Sequence, residues 1–78
     1  MQRKPTPKSK IYRLVTEFEE KVESQFFHIF DENQLIDIIS YYEEDQQLHK
    51  AIETVDLALS QYRYRVDFYL LKVRLLLK

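Results

Sequence analysis

No glycine occurs in this 78-residue chain, and its two prolines, Pro5 and Pro7, both stand near the start. Everything after them therefore lacks the residues that normally close a β-hairpin, whose tight turns draw on positive φ or a pre-set φ. Strands become hard to build under that constraint. Apolar residues instead recur at intervals of three and four, the period of an amphipathic helix. The sequence predicts an all-α fold of about four helices, paired as antiparallel hairpins.

The run Met1-Gln-Arg-Lys-Pro-Thr-Pro-Lys-Ser-Lys10 is basic and poorly apolar, and residues 1–9 are expected to be a flexible tail. Ile11, Leu14, Val15, Phe18, Val22 and Phe26 then predict a first helix over about 10–27, with Glu17, Glu19, Glu20 and Glu23 turned outward. Asp31 has the marks of an N-cap. Its carboxylate can accept from first-turn amides, Gln34 can complete a capping box, and Phe30 can staple onto Leu35. A second helix follows from Glu32 to about Glu44, burying Leu35, Ile38, Ile39 and Tyr42. After the polar break Asp45-Gln46-Gln47, a third helix is marked by Leu48, Ala51, Ile52, Val55, Ala58, Leu59 and Tyr62. So short a link makes the two helices antiparallel. Arg63-Tyr64-Arg65 ends this hairpin, and a fourth helix covers about 66–78.

Across the second and third helices, Leu35, Ile38, Tyr42, Leu48, Ala51, Val55 and Ala58 fall at the signature positions of one helical hairpin. Thirty-four residues after Leu35, Ile39 and Tyr42 come Tyr69, Val73 and Leu76. This pattern resembles the tetratricopeptide repeat, a 34-residue helix-turn-helix unit. The resemblance covers about 32–65 as one degenerate repeat and about 66–78 as the first helix of a second. Ile39 replaces the usual small residue, Gln46 the common turn glycine and Arg63 the proline after the hairpin, while Lys72 breaks the second copy. The first helix does not fit as a preceding repeat helix, because Glu17, Lys21 and Ser24 fall where Ala51, Val55 and Ala58 should have counterparts. It reads as an N-terminal cap. A nonspecific four-helix bundle with generic amphipathic spacing is the alternative.

The fourth helix is apolar almost all round, through Val66, Phe68, Tyr69, Leu70, Leu71, Val73, Leu75, Leu76 and Leu77. One neighbour cannot bury such a helix. Its cover would be the rest of a longer repeat protein of which this chain is the N-terminal part, a second copy, or the first helix folded over it. Self-association is expected through Phe68, Leu71, Leu75 and Leu77. Among the tyrosines, Tyr42, Tyr62 and Tyr69 are expected in the core, with Tyr41 and Tyr64 exposed.

Net charge is only −1, but it is zoned. Arg3, Lys4, Lys8, Lys10 and Arg13 make the start basic, the span from Glu17 to Asp56 carries Lys21 and Lys50 as its only cations, and the end turns basic again. With no cysteine, the chain has neither disulfides nor thiolate ligands. A reducing cytoplasm is the expected compartment. His28 and His49 lack partners at ligand spacing, so no metal or cofactor is expected. No nucleophile signature and no phosphate loop stand in the sequence, and enzymatic activity is not expected. Val66 to Leu77 is interrupted by three charges and is too short to span a bilayer.

The resemblance implies a scaffold or protein-binding module with a concave face built from the first helix of each repeat. Residue by residue that face is Asn33, Ile36, Asp37, Ser40, Glu43 and Glu44, then Asp67, Leu70, Leu71 and Arg74. It further implies a right-handed superhelix and a protein or peptide partner. Ile36 and Ser40 stand where the family's clamp for C-terminal carboxylates has basic and asparagine side chains, so chaperone tails are not the expected ligand. The alternative function is a small bundle that meets nucleic acid through the basic tail or a membrane surface through the last helix.

Overall fold

A computed structural model describes residues 8–25 and 29–78, with side chains of the first helix described from Lys10 onward. The chain is all-helical: α1 (Lys8–Glu23), α2 (Glu32–Glu44), α3 (Leu48–Gln61) and α4 (Val66–Leu76). The expectations placed on residues 1–7, Phe26 and His28 lie outside the described residues.

Each helix begins and ends for local reasons. α1 is already helical at Lys8, the first described residue, so it takes in the last two residues of the expected tail. It ends at Glu23 rather than near residue 27. Gln25 takes φ 65°, its N–H bonds to the Val22 carbonyl at 3.1 Å, and the Ser24 hydroxyl turns back onto the Glu20 and Lys21 carbonyls, each at 3.2 Å. α2 opens with the expected capping box: the Gln34 amide donates to Asp31 Oδ1 at 2.8 Å, and the Asp31 amide donates to Gln34 Oε1 at 3.0 Å. Phe30, one residue upstream, is fully buried like Leu35.

The close of α2 is a Schellman motif. The Gln47 N–H donates to the Tyr42 carbonyl at 2.8 Å and the Gln46 N–H to the Glu43 carbonyl at 3.2 Å, with Gln46 between them at φ 62°. Gln46 thus holds the left-handed conformation at the point where the repeat pattern commonly has glycine.

Packing runs from neighbour to neighbour: α1 on α2, α2 on α3, α3 on α4. The α2–α3 hairpin is antiparallel, since the Tyr62 hydroxyl after the end of α3 donates to the Phe30 carbonyl before the start of α2 at 3.0 Å. Ala51, Val55 and Ala58 are fully buried beside Leu35, Ile38, Ile39 and Tyr42. The two alanines let the helices approach closely. α1 adds Val15 and Phe18, with the Phe18 ring edge-on to Phe30 at 5.4 Å. Thr54, also buried, spends its hydroxyl on the Lys50 carbonyl one turn back at 2.8 Å.

α4 corrects two expectations. Its inner face is Phe68, Leu71 and Leu75, with Phe68 and Leu75 fully buried and Phe68 stacked against Tyr62 at 6.2 Å. Those two residues close the fold and are not free for self-association. Conversely Tyr69, Val73 and Leu76, the counterparts of Leu35, Ile39 and Tyr42, are half exposed or more, so Tyr69 is not a core residue. The reason is geometric. Only α3 lies against α4 along its length, and residues one step round the helix from Phe68 face away from it.

Candidate interaction surface

α2 and α4 run parallel, and ion pairs fix them at both ends. At the N-terminal end Arg65, the residue capping α4, pairs with Glu32 in the first turn of α2 and with Asp67 at 2.8 Å. At the C-terminal end Glu43 accepts from Arg74 Nη2 at 2.5 Å and from Lys78 Nζ at 2.8 Å. The partners are 33, 31 and 35 residues apart. The Lys78 ammonium, helped by Arg74, holds the Glu43 carboxyl below the usual carboxylate range. Lys72 Nζ binds Asp56 of α3 at 2.7 Å. Lys72, Arg74 and Lys78 are therefore each paired with a carboxylate of the same chain.

The residues expected on the concave face fall in three groups. Asn33, Asp37 and Glu44 are exposed on α2, and Leu70 is exposed on α4. Glu43, Asp67 and Arg74 are engaged in the ion pairs just described, and Glu43 with Arg74 is the pair the fold brings together. Ile36, Ser40 and Leu71 are half buried, Ile36 and Leu71 being packed on the core. Of the expected self-association residues only Leu77, at 82% exposure, is fully at the surface.

Sequence reasoning did not isolate the most prominent surface. Val66, Tyr69, Leu70, Val73, Leu76 and Leu77 are all half exposed or more. At 100° per residue they form one continuous stripe on the side of α4 opposite Phe68, Leu71 and Leu75. The 3–4 spacing was present, but a helix apolar all round gives no contrast by which to pick the outer face. α1 packs on α2 and leaves the stripe uncovered.

A second feature joins α1 to the hairpin. Glu19 Oε2 accepts from the Tyr42 hydroxyl at 2.6 Å and from Lys50 Nζ at 3.3 Å. Burial, and this bond to Glu19, push the Tyr42 phenol well above its ordinary range. Beside it Tyr41 is pushed up to about 12, chiefly by its hydrogen bond with Tyr12, whose ring stands edge-on at 5.6 Å. Tyr64 is exposed as expected, whereas Tyr41 and Tyr62 are half buried. Next to the Glu19 junction, α1 and α3 border an open groove of about 460 Å³, with Phe18, Val22 and Leu57 among its walls and Glu20, Glu23 and Glu53 around it.

Among the described residues no group of three His, Cys, Asp or Glu side chains could hold a metal, and His49 is an exposed partner of Glu53 at 3.4 Å. No helix among them is long and apolar enough to cross a membrane. Comparison of the chain with protein-family models, curated proteins and solved structures finds no match.

Proposed function

We propose that the chain is a protein-interaction or assembly module of the tetratricopeptide type, working in a reducing compartment such as the cytoplasm. In this reading α2 and α3 are one repeat, α4 is the first helix of the next, and α1 is the cap. The observation that carries it is the uncovered apolar stripe on α4, lying where the second helix of a repeat would pack. Three further features support it: the parallel α2–α4 register of 31 to 35 residues, the left-handed Gln46 at the repeat's turn position, and the buried Ala51 and Ala58. Continuation would build the right-handed superhelix of the family and extend the face that presents Asn33, Asp37 and Glu44 to a protein or peptide.

The test supplies a covering helix. A turn and a 14-residue helix, matched to α3 in length and carrying alanines at the spacing of Ala51 and Ala58, is fused after Lys78. It should raise the thermal midpoint by about 5 °C or more and abolish dye binding by the exposed stripe. A helix of the same composition with the alanines moved off the packing face should do neither. Equal stabilisation by both helices would show a sticky surface without repeat geometry and overturn the reading.

A further inference from the structure

We propose that the outer stripe of α4 binds the same stripe of a second copy, with the two α4 helices antiparallel about a two-fold axis that crosses the stripe midway between Val66 and Leu77. This deepens the assembly side of the function proposed above and rests on it only in taking the stripe as a docking face. Three observations select a second copy as the occupant.

The first is spacing. Val66, Tyr69, Leu70, Val73, Leu76 and Leu77 repeat at intervals of three and four, which places them at the a, d and e positions of a heptad pattern. Such a seam meets another helix knobs-into-holes along its whole length, whereas a peptide in extended form would match only part of it.

The second is area. Six side chains at half exposure or more present on the order of 600 Å² per copy, so an isologous contact removes about 1,200 Å² in all, the lower end of specific interfaces. A patch that large on one small chain is itself at the top of what monomers leave exposed.

The third is charge. α4 has Asp67 in its first turn and Arg74 in its last, seven residues apart and on one flank of the helix. Asp67 and Arg74 are already paired within their own chain, to Arg65 and Glu43, so it is the two helix dipoles that antiparallel alignment opposes favourably. Parallel alignment sets like beside like. Lys72, level with the two-fold centre but round the helix from the stripe, is held by Asp56 of α3 at 2.7 Å.

The experiment uses the full chain, which has no native cysteine. Sedimentation velocity from about 1 to 200 µM should show a reversible monomer–dimer equilibrium with its midpoint inside that range. Val73→Glu should weaken it at least tenfold while leaving the helical circular dichroism unchanged, and Leu70→Glu should repeat the effect at an independent position. Orientation is read by oxidation. A mixture of Val66→Cys and Leu77→Cys chains should give the mixed disulfide, whereas Val66→Cys alone leaves its two thiols about 16 Å apart along the axis and should stay reduced. Monomer throughout the range, a dimer indifferent to both glutamates, or cross-linking of Val66→Cys with itself in preference to the mixture would each overturn the proposal. None of these results would bear on the appended-helix test, which reads repeat geometry in the monomer.

Discussion

Replacing Gln46 with glycine should stabilise the protein, although it removes a side chain and adds freedom to the unfolded chain. Gln46 sits at φ 62°, where an L-residue brings Cβ against the following carbonyl and costs roughly 1–2 kcal/mol. Glycine escapes that cost and forfeits about 0.5–1 kcal/mol of unfolded-state entropy. The side chain is exposed and the two Schellman bonds use backbone atoms alone, so no contact is lost with it. The net expectation is a gain of about 0.5–1 kcal/mol, or roughly 3–6 °C in thermal midpoint for a domain of this size. Urea unfolding followed at 222 nm should show a higher midpoint at unchanged slope, because the surface exposed on unfolding is the same. Gln46→Val, β-branched, should shift it the other way, and Gln25→Gly at φ 65° should add an independent gain at the end of α1. A loss of stability on Gln46→Gly, with Gln46→Val neutral, would refute the left-handed closure of α2 and with it the turn position of the proposed repeat.

Other expectations can be checked on the same preparation. Phe68→Ala should cost about 3–5 kcal/mol and Leu70→Ala under about 0.5 kcal/mol at low micromolar concentration; the reverse order in chemical denaturation would mean that α4 turns its other face inward. Glu43 holds its carboxyl lowered by Lys78 and Arg74, so its contribution is complete above the unfolded value of about 4.3 and fades as pH falls through the lower folded value. Glu43→Gln should therefore cost about 1 kcal/mol at pH 7, less in high salt, and flatten the acid limb of the stability curve below pH 4. The raised Tyr42 phenol works in the opposite direction: the unfolded state releases its proton from about pH 10 while the folded state keeps it, so stability declines as pH rises beyond that point. Tyr42→Phe should lose about 1 kcal/mol at neutral pH and soften this alkaline decline, and a 295 nm titration of the parent should show late-titrating phenols that the variant has in smaller number.

What the chain disclosed before folding was what depends on near neighbours. Asp31 and Gln34 lie three residues apart, so their capping box needs nothing from the rest of the molecule, and the limits of α2 and the starts of α3 and α4 followed from such signals and from periodicity, while α4 closes at Leu76 rather than 78. The end of α1 was hidden because its closing left-handed residue is a glutamine, and a chain without glycine gives no letter by which to find that conformation. The choice of inner face on α4 was hidden for another reason. Phe68 and Tyr69 are both large and apolar, and only the position of α3 decides which of them is enclosed. The Glu19 junction with Tyr42 and Lys50 joins residues 23 and 31 apart on unlike elements, where no repeat or spacing connects them. For the surface, the resemblance pointed to α2 and α4 as the presenting helices, but not to the ion pairs that use up Glu43, Asp67 and Arg74.

Neighbour-to-neighbour packing also sets how the molecule opens. α2 and α3 are each flanked along their length by a helix on either side, whereas α1 and α4 are flanked by one. Amide protons of α2 and α3 should then exchange only through global unfolding, and those of α1 and α4 through cheaper local excursions from the ends. Covering the free side of α4 would move it from the second class to the first. Slow exchange spreading into residues 66–76 as concentration rises would thus record, amide by amide, the moment at which an end of this small array becomes part of its interior.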